Sequence, residues 1–355
     1  MREKSAGRPG RLTLAEVAEQ AGVSRATVSL VLRDSPLVAE GTRVKVRAAL
    51  DKLGYVYNRS AASMRGAQSR TIGLLIPGLS NPFFAELAAG VDQVLDEAGL
   101  ALFLADSNEC VAKQERVILR MREHGADGIL ICPAVGTPKD LVSRLNALEF
   151  PVVQTLRQVS PRGDYVSTDY EIGMDRATEH LIRLGHRRIA FVGGEHMHSA
   201  YRERRDGFVA CMRRYGLSPE LIIKTPLTRQ AGIEVLSRLL EQDKPVTAAI
   251  CFNDVVAFGM LLGLADRGLR AGVDLAVVGF DNLVEASLSR PPLTTVATMP
   301  NQIGQDAARL LLRRIANPQG APERVVLPTR LVVRESCGAL HPEGVPERTH
   351  PLSDF

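Results

Sequence analysis

The chain has 355 residues, 45% of them hydrophobic, and a formal net charge of +4. That length predicts two or three structural units, and the lack of any run of about 18 apolar residues excludes a membrane-spanning helix. The N-terminus, MREKSAGRPGRL, has no apolar stretch of the secretory kind. The five scattered cysteines (Cys110, Cys132, Cys211, Cys251, Cys337) form no CxxC pair, which fits reduced thiols in a cytoplasmic protein rather than a disulfide framework or zinc site.

The charge is unevenly spread. Residues 1–70 hold 13 Lys and Arg against 6 Asp and Glu, a net of +7, which leaves about −3 for the rest. A basic head on a mildly acidic body points to a polyanionic partner, although a solvated charged surface gives the same tally.

In chain order, residues 1–11 read as a basic flexible arm. Thr13-Leu14-Ala15-Glu16 has the form of a capping box, so a helix is predicted from Leu14. Leu14, Val17, Ala18 and Ala21 give it one apolar face, and Gly22 can adopt the left-handed turn that ends it. Ser24 is an apt N-cap for a second helix with Val28 and Val31 inward and Arg25, Ala26, Ser29 and Leu30 outward. Two short helices joined by three residues have helix-turn-helix spacing, in which the start of the second helix meets base edges. A third helix is predicted around Val46, Ala49, Leu50 and Leu53, ending at Gly54. A generic three-helix bundle would share the pattern, but would not account for an arginine opening the exposed face of helix two.

From Arg70 the pattern becomes alternating strands and helices. Apolar strand-like runs are TIGLLI (71–76), LALFLA (100–105), GILIC (128–132), FPVVQTL (150–156), RRIAFVG (187–193), TAAICF (247–252) and DLAVVGF (274–280). Near-continuous apolar strands separated by helices predict parallel sheets covered on both faces, here as two successive α/β subdomains meeting near residues 160–168.

The segment LTLAEVAEQAGVSRATVSLVLRDSPLVAEGTRVKVRAALDKLGYVYNRSAASMRG resembles, without a gap, the head of the LacI/GalR transcription repressors. SNPFFAEL, GADGILI, HLIRLGHRRIAFVGG, RRDGF, AAICFNDVVAFGM, VVGFDN and PPLTTV extend the resemblance along the body, and through that family to periplasmic sugar-binding proteins. The resemblance implies an all-α helix-turn-helix head at 12–57, a hinge helix or linker at 58–69, and a ligand-binding and dimerisation core at 70–337. It divides the core into an N-subdomain (about 70–166 and 296–326) and a C-subdomain (about 167–295 and 327–337), crossed three times by the chain. Both would be Rossmann-like parallel-sheet units, periplasmic-binding-protein-like in arrangement.

Carried over residue by residue, the resemblance places Arg25, Ala26 and Leu30 at base-reading positions and Ser24, Thr27 and Ser29 near phosphates. Thr13 joins the DNA-contacting set, as do Tyr55, Asn58, Arg59 and Ala61. Met64 stands where the family usually has a leucine wedge that parts a base step in the minor groove. For the ligand it implies Phe83, Phe84, Asn108, Arg157, His198, Arg204, Asn253 and Asp281: aromatic faces for C–H surfaces and polar groups for hydroxyls. Bland alternatives stand beside these, with Phe83 and Phe84 as core, Asn253 as a helix cap, Asp281 as a side-chain cap of the next segment and Arg204 as a surface ion pair. Leu156 stands where the family often has an acid, and Leu227 where an aromatic is frequent. That change predicts a more cationic cleft and an anionic sugar derivative, with a neutral sugar as the alternative.

His196 and His198 are spaced i, i+2 without a third ligand, so no metal is expected. No GxSxG, HExxH, P-loop or GxGxxG string occurs, so neither catalytic residues nor a cofactor are expected. The sequence-level conclusion is a cytoplasmic, nucleoid-associated, ligand-responsive repressor of carbohydrate genes. Its partners would be palindromic double-stranded operator DNA, a sugar or sugar-derivative effector and a second copy in a homodimer, with no membrane. The tail at 338–355 lacks apolar heptads, so it predicts disorder and no tetramer. The rivals are an exported solute-binding protein, which needs a signal sequence, and a sugar-modifying enzyme on the same scaffold.

Overall fold

The computed structural model describes residues 12–32, 35–55, 69–194 and 197–339, and these divide into one unit ending at Ser69 and a second beginning at Arg70. The basic arm 1–11, the hinge residues 58–68 with Asn58, Arg59, Ala61 and Met64, His196, and the tail from 340 onward lie outside them.

The first unit is three helices, α1 (Leu14–Ala21), α2 (Arg25–Leu32) and α3 (Glu40–Leu53). Thr13 and Glu16 close the predicted capping box, with Thr13 N–H donating to Glu16 Oε2 at 2.6 Å. Gly22 ends α1 at φ 66°, a left-handed conformation that costs a Cβ-bearing residue energy. The Ser24 hydroxyl accepts from Thr27 N–H at 3.1 Å and so opens α2. Val17, Ala18, Val28, Val31, Val46 and Ala49 are the buried core. Six small side chains make a marginal core for a unit of this size.

The second unit alternates strand and helix. Its first part runs β1 (Thr71–Ile76), α4 (Pro82–Glu97), β2 (Ala101–Asp106), α5 (Val111–Glu123), β3 (Gly128–Ile131), α6 (Leu141–Ala147), β4 (Val152–Thr155) and β5 (Asp164–Thr168). Then come α7 (Tyr170–Arg183), β6 (Ile189–Val192), α8 (Ser199–Arg214), β7 (Ile222–Ile223), α9 (Arg229–Leu240), β8 (Ala248–Cys251), α10 (Asp254–Ala265), β9 (Ala276–Asp281) and α11 (Glu285–Leu288). β10 (Thr294–Ala297), α12 (Pro300–Ala316), β11 (Arg324–Leu327) and β12 (Arg330–Val332) complete it.

These strands make two six-stranded sheets, ordered β11-β5-β4-β3-β1-β2 and β12-β10-β9-β8-β6-β7. Every pairing is parallel except β10 with β12. The seven apolar runs all contribute strands. Six are buried because helices cover both sheet faces, whereas β2, at the edge of the first sheet, leaves Phe103 and Leu104 exposed, which departs from the expected cover. β5 is a strand that apolar content does not reveal. Its sequence DYVST is fully buried, and Asp164 is satisfied by Arg314 Nε at 2.7 Å and by Glu323 N–H at 2.8 Å. That ion pair ties α12 and β11 into the first sheet.

The chain passes between the sheets after β5, between β10 and α12, and between β11 and β12. The crossings fall at 168–170, 298–299 and 328–329, a few residues beyond the expected boundaries, because Val296 and Ala297 pair with Phe280 and Asp281 in the second sheet. α12 returns to lie on α4. A Cβ at Gly90 would strike the Asn301 carbonyl and one at Gly304 the Leu87 carbonyl, so paired glycines let these two helix backbones touch.

Candidate functional site

Two places carry chemistry. In the head, the exposed face of α2 presents Arg25 and Ala26, with Ser29 and Leu30 half-buried behind them. Ser24 and Thr27 are coupled through their hydroxyls at 2.9 Å, so the predicted phosphate-side pair is engaged first in starting the helix. Tyr55 is half-buried against the head's core and its N–H donates to the Leu50 carbonyl at 3.0 Å.

In the second unit, a cavity of about 70 Å³ lies between the sheets, at the carboxyl ends of their strands. Seven of the eight expected ligand residues line it: Phe83, Phe84, Arg157, His198, Arg204, Asn253 and Asp281. Asn108 does not. Its backbone turns left-handed after β2 at φ 49° and its N–H donates to Asp106 Oδ1 at 2.6 Å. The volume is far below the ~300 Å³ of a typical ligand pocket.

Arg204 is the centre of the site. Its guanidinium is stacked between the rings of Tyr170 (3.9 Å), Phe252 (4.3 Å) and Phe280 (4.4 Å). Asp281 lies 3.8 Å away, too far for a hydrogen bond. Nη1 donates to the Ala200 carbonyl at 3.1 Å, while Nε is buried without a partner. An unsatisfied buried donor on a permanent cation is costly, and a ligand oxygen would relieve it. Burial pushes the Asp281 carboxyl well above its usual range, opposed by the Arg204 charge. Asp281 holds φ 118° in β9's last position, a strained backbone that points to a functional constraint.

Helix starts fix two further groups. Asn253 Oδ1 accepts from Val256 N–H at 3.0 Å and caps α10, and the same residue lines the cavity. His198 Nδ1 accepts from Tyr201 N–H at 3.2 Å and caps α8, which puts a neutral ring's proton on Nε2. Beside Asn253, Asp254 is fully buried; it accepts from the Thr295 hydroxyl at 2.6 Å and Leu283 N–H at 2.8 Å, and burial still pushes its carboxyl up to about 7.

Sequence reasoning missed Tyr170 and Phe252, whose role as walls around Arg204 depends on tertiary placement. It also missed Glu109, next to the cavity. Glu109 Oε1 lies 2.8 Å from Arg157 Nη1, and its Oε2 accepts from Arg157 at 3.0 Å and from Val135 N–H at 3.0 Å. The expected surplus of positive charge therefore overlooked a carboxylate from the same half.

A model of the bacterial regulatory proteins of the lacI family matches residues 13–58, and one of the periplasmic binding protein-like domain matches 178–337. The HTH-type transcriptional regulator DegA of Bacillus subtilis is 31% identical over 338 residues, covering 93% of this chain and 99% of that protein. This chain belongs to the lacI family. It is thus a DNA-binding transcriptional regulator, with its helix-turn-helix in the first unit. The maltose regulon regulatory protein MalI of Escherichia coli is 30% identical, over 91% of this chain and 98% of its own. Among solved structures of lacI-type regulators, the lac repressor dimer bound to operator and the anti-inducer ONPF superposes with a TM-score of 0.82 at 27% identity, covering 92% of this chain and 99% of that one. The transcriptional regulator CelR–cellobiose complex gives 0.69 at 32% identity, covering 92% and 100%.

Proposed function

We propose that this lacI-family chain is a ligand-responsive repressor of carbohydrate-metabolism genes, with a sugar or sugar derivative as effector in the cavity between its two sheets. The observation that carries the reading is Arg204, buried among three aromatic rings with Nε unsatisfied, at a cleft whose walls are joined among the described residues by three chain crossings. Aromatic faces and directional donors suit a hydroxylated ring. The cellobiose named in the CelR complex is a ligand of that kind.

Ligand acts by linkage. It shifts DNA affinity only as far as it binds one core state better than the other. In this reading the head and hinge grip a near-palindromic operator as a dimer, and Arg25, Ala26 and Leu30 read bases. A groove of about 410 Å³ on the second lobe, lined by Phe258, Leu261, Leu262 and Leu288, supports a second copy as partner, since Leu262 and Leu288 are 51% and 66% exposed. Among the described residues no helix is long and apolar enough to cross a membrane. We place its action on DNA in the cytoplasm, with no reaction catalysed, in keeping with relatives named as regulators.

The test is selection of bound DNA from a random pool, followed by fluorescence anisotropy with and without a panel of sugars and sugar acids. A palindrome whose affinity one sugar lowers identifies an induced repressor and its ligand; tightening identifies a corepressor. No enriched sequence refutes the reading.

A further inference from the structure

Resting on that reading of the cleft, we infer that Glu109 is a specificity-determining residue: it neutralises Arg157 and so selects an uncharged hydroxylated effector against sugar acids and phosphates. Each wall of the cleft supplies one guanidinium and one carboxylate. The first half gives Arg157 and Glu109, and the second gives Arg204 and Asp281. Arg157 lines the cavity and its side chain is 10% exposed, whereas Glu109 stands behind it, outside the lining.

The hold on Arg157 is specific. Both Glu109 oxygens reach Nη1, at 2.8 and 3.0 Å, and the Pro133 carbonyl accepts from the same nitrogen at 3.4 Å. Glu109 is aimed there by two successive left-handed residues, Asn108 at φ 49° and Glu109 at φ 53°, and by Val135 N–H donating to Oε2. Non-glycine residues enter that region at a cost, and here the turn carries the carboxylate behind the arginine. An incoming anion would have to compete with a carboxylate already in place. A hydroxyl would not, because it asks Arg157 for one hydrogen bond and no change of charge.

The closing experiment is calorimetry on the full-length protein with glucose, gluconate and inorganic phosphate as probes, backed by a panel of neutral mono- and disaccharides. Glu109→Gln keeps the side-chain shape and an acceptor for Val135, and its melting temperature verifies folding. The variant should bind gluconate and phosphate about tenfold to a hundredfold more tightly than the parent, the range of a charge-assisted hydrogen bond. Neutral sugars should change little. A second variant, Glu109→Gln with Arg157→Met, should lose the gain.

Equal anion binding by parent and Glu109→Gln overturns the inference, as does a gain that survives removal of Arg157. If a neutral sugar binds and Arg204→Met abolishes that binding while Glu109→Gln gains no anion, this inference alone fails. If nothing in the panel binds either protein, the reading of the cleft fails with it.

Discussion

Replacing Arg204 by Met tests the centre of the site. Methionine retains an unbranched apolar stem among Tyr170, Phe252 and Phe280 while removing the charge. The guanidinium offers a ligand its unpartnered Nε and the Nη2 edge that faces Asp281 at 3.8 Å. Two charge-assisted hydrogen bonds at about 1.5–3 kcal/mol each amount to roughly 3–6 kcal/mol, or about 10²- to 10⁴-fold in effector affinity. Operator affinity without effector should stay near that of the parent, since the head is a separate unit. Folding should survive, because the lost cation–π contacts of about 2 kcal/mol are offset by no longer burying a cation. Asp281, already pushed up by burial, then rises further without its cation. A raised folded-state carboxyl stabilises below its unfolded value and loses that contribution as pH rises, so the variant's stability should go on falling to higher pH than the parent's. Calorimetry for effector and anisotropy for operator give the readout. A folded Arg204→Met protein whose operator affinity still responds to effector at the parent's concentrations refutes the argument.

Arg25→Ala should weaken specific operator binding by about 1–3 kcal/mol; an equal loss on random DNA would make Arg25 a phosphate contact instead. Val28→Ala removes two carbons from the six-residue core of the head at about 2 kcal/mol, so operator binding and the head's thermal transition should fall while effector binding persists. An unshifted head transition would refute the marginal-core argument. Asp254 releases its proton near pH 4 when unfolded but near 7 when folded, so its stabilising contribution is complete below pH 4 and disappears between 4 and 7, a loss of up to about 4 kcal/mol. Urea unfolding of Asp254→Asn across that range should show a flatter pH dependence than the parent, and identical slopes would disprove the assignment.

What the sequence made legible follows from periodicity. Val17, Val28 and Val46 declare the head because helix spacing and caps are local signals, and runs such as AAIC and GILI declare central parallel strands because both faces are covered. DYVST escapes that test. Asp164 enters a sheet where Arg314, 150 residues on, and the Glu323 N–H meet it, and no local pattern encodes partners that distant. Arg157 fails the same way in the site. Its type can be read, but the charge it presents depends on Glu109, 48 residues earlier. The second sheet's short β7, only Ile222–Ile223, is defined by its pairing with β6 rather than by its own composition.

The three crossings also bear on how a ribosome can deliver this molecule. The first sheet needs β11, residues 324–327, for its edge and α12 for its cover, and the second needs β12, residues 330–332. Neither half is a continuous stretch of chain, so neither can finish folding while the last several dozen residues are still unmade. The head, complete within its first 55 residues, can fold long before. A nascent chain stalled near residue 290 would thus expose a finished DNA-reading element on a core with two open sheet edges. The same ordering makes premature termination late in the message damaging to both lobes at once.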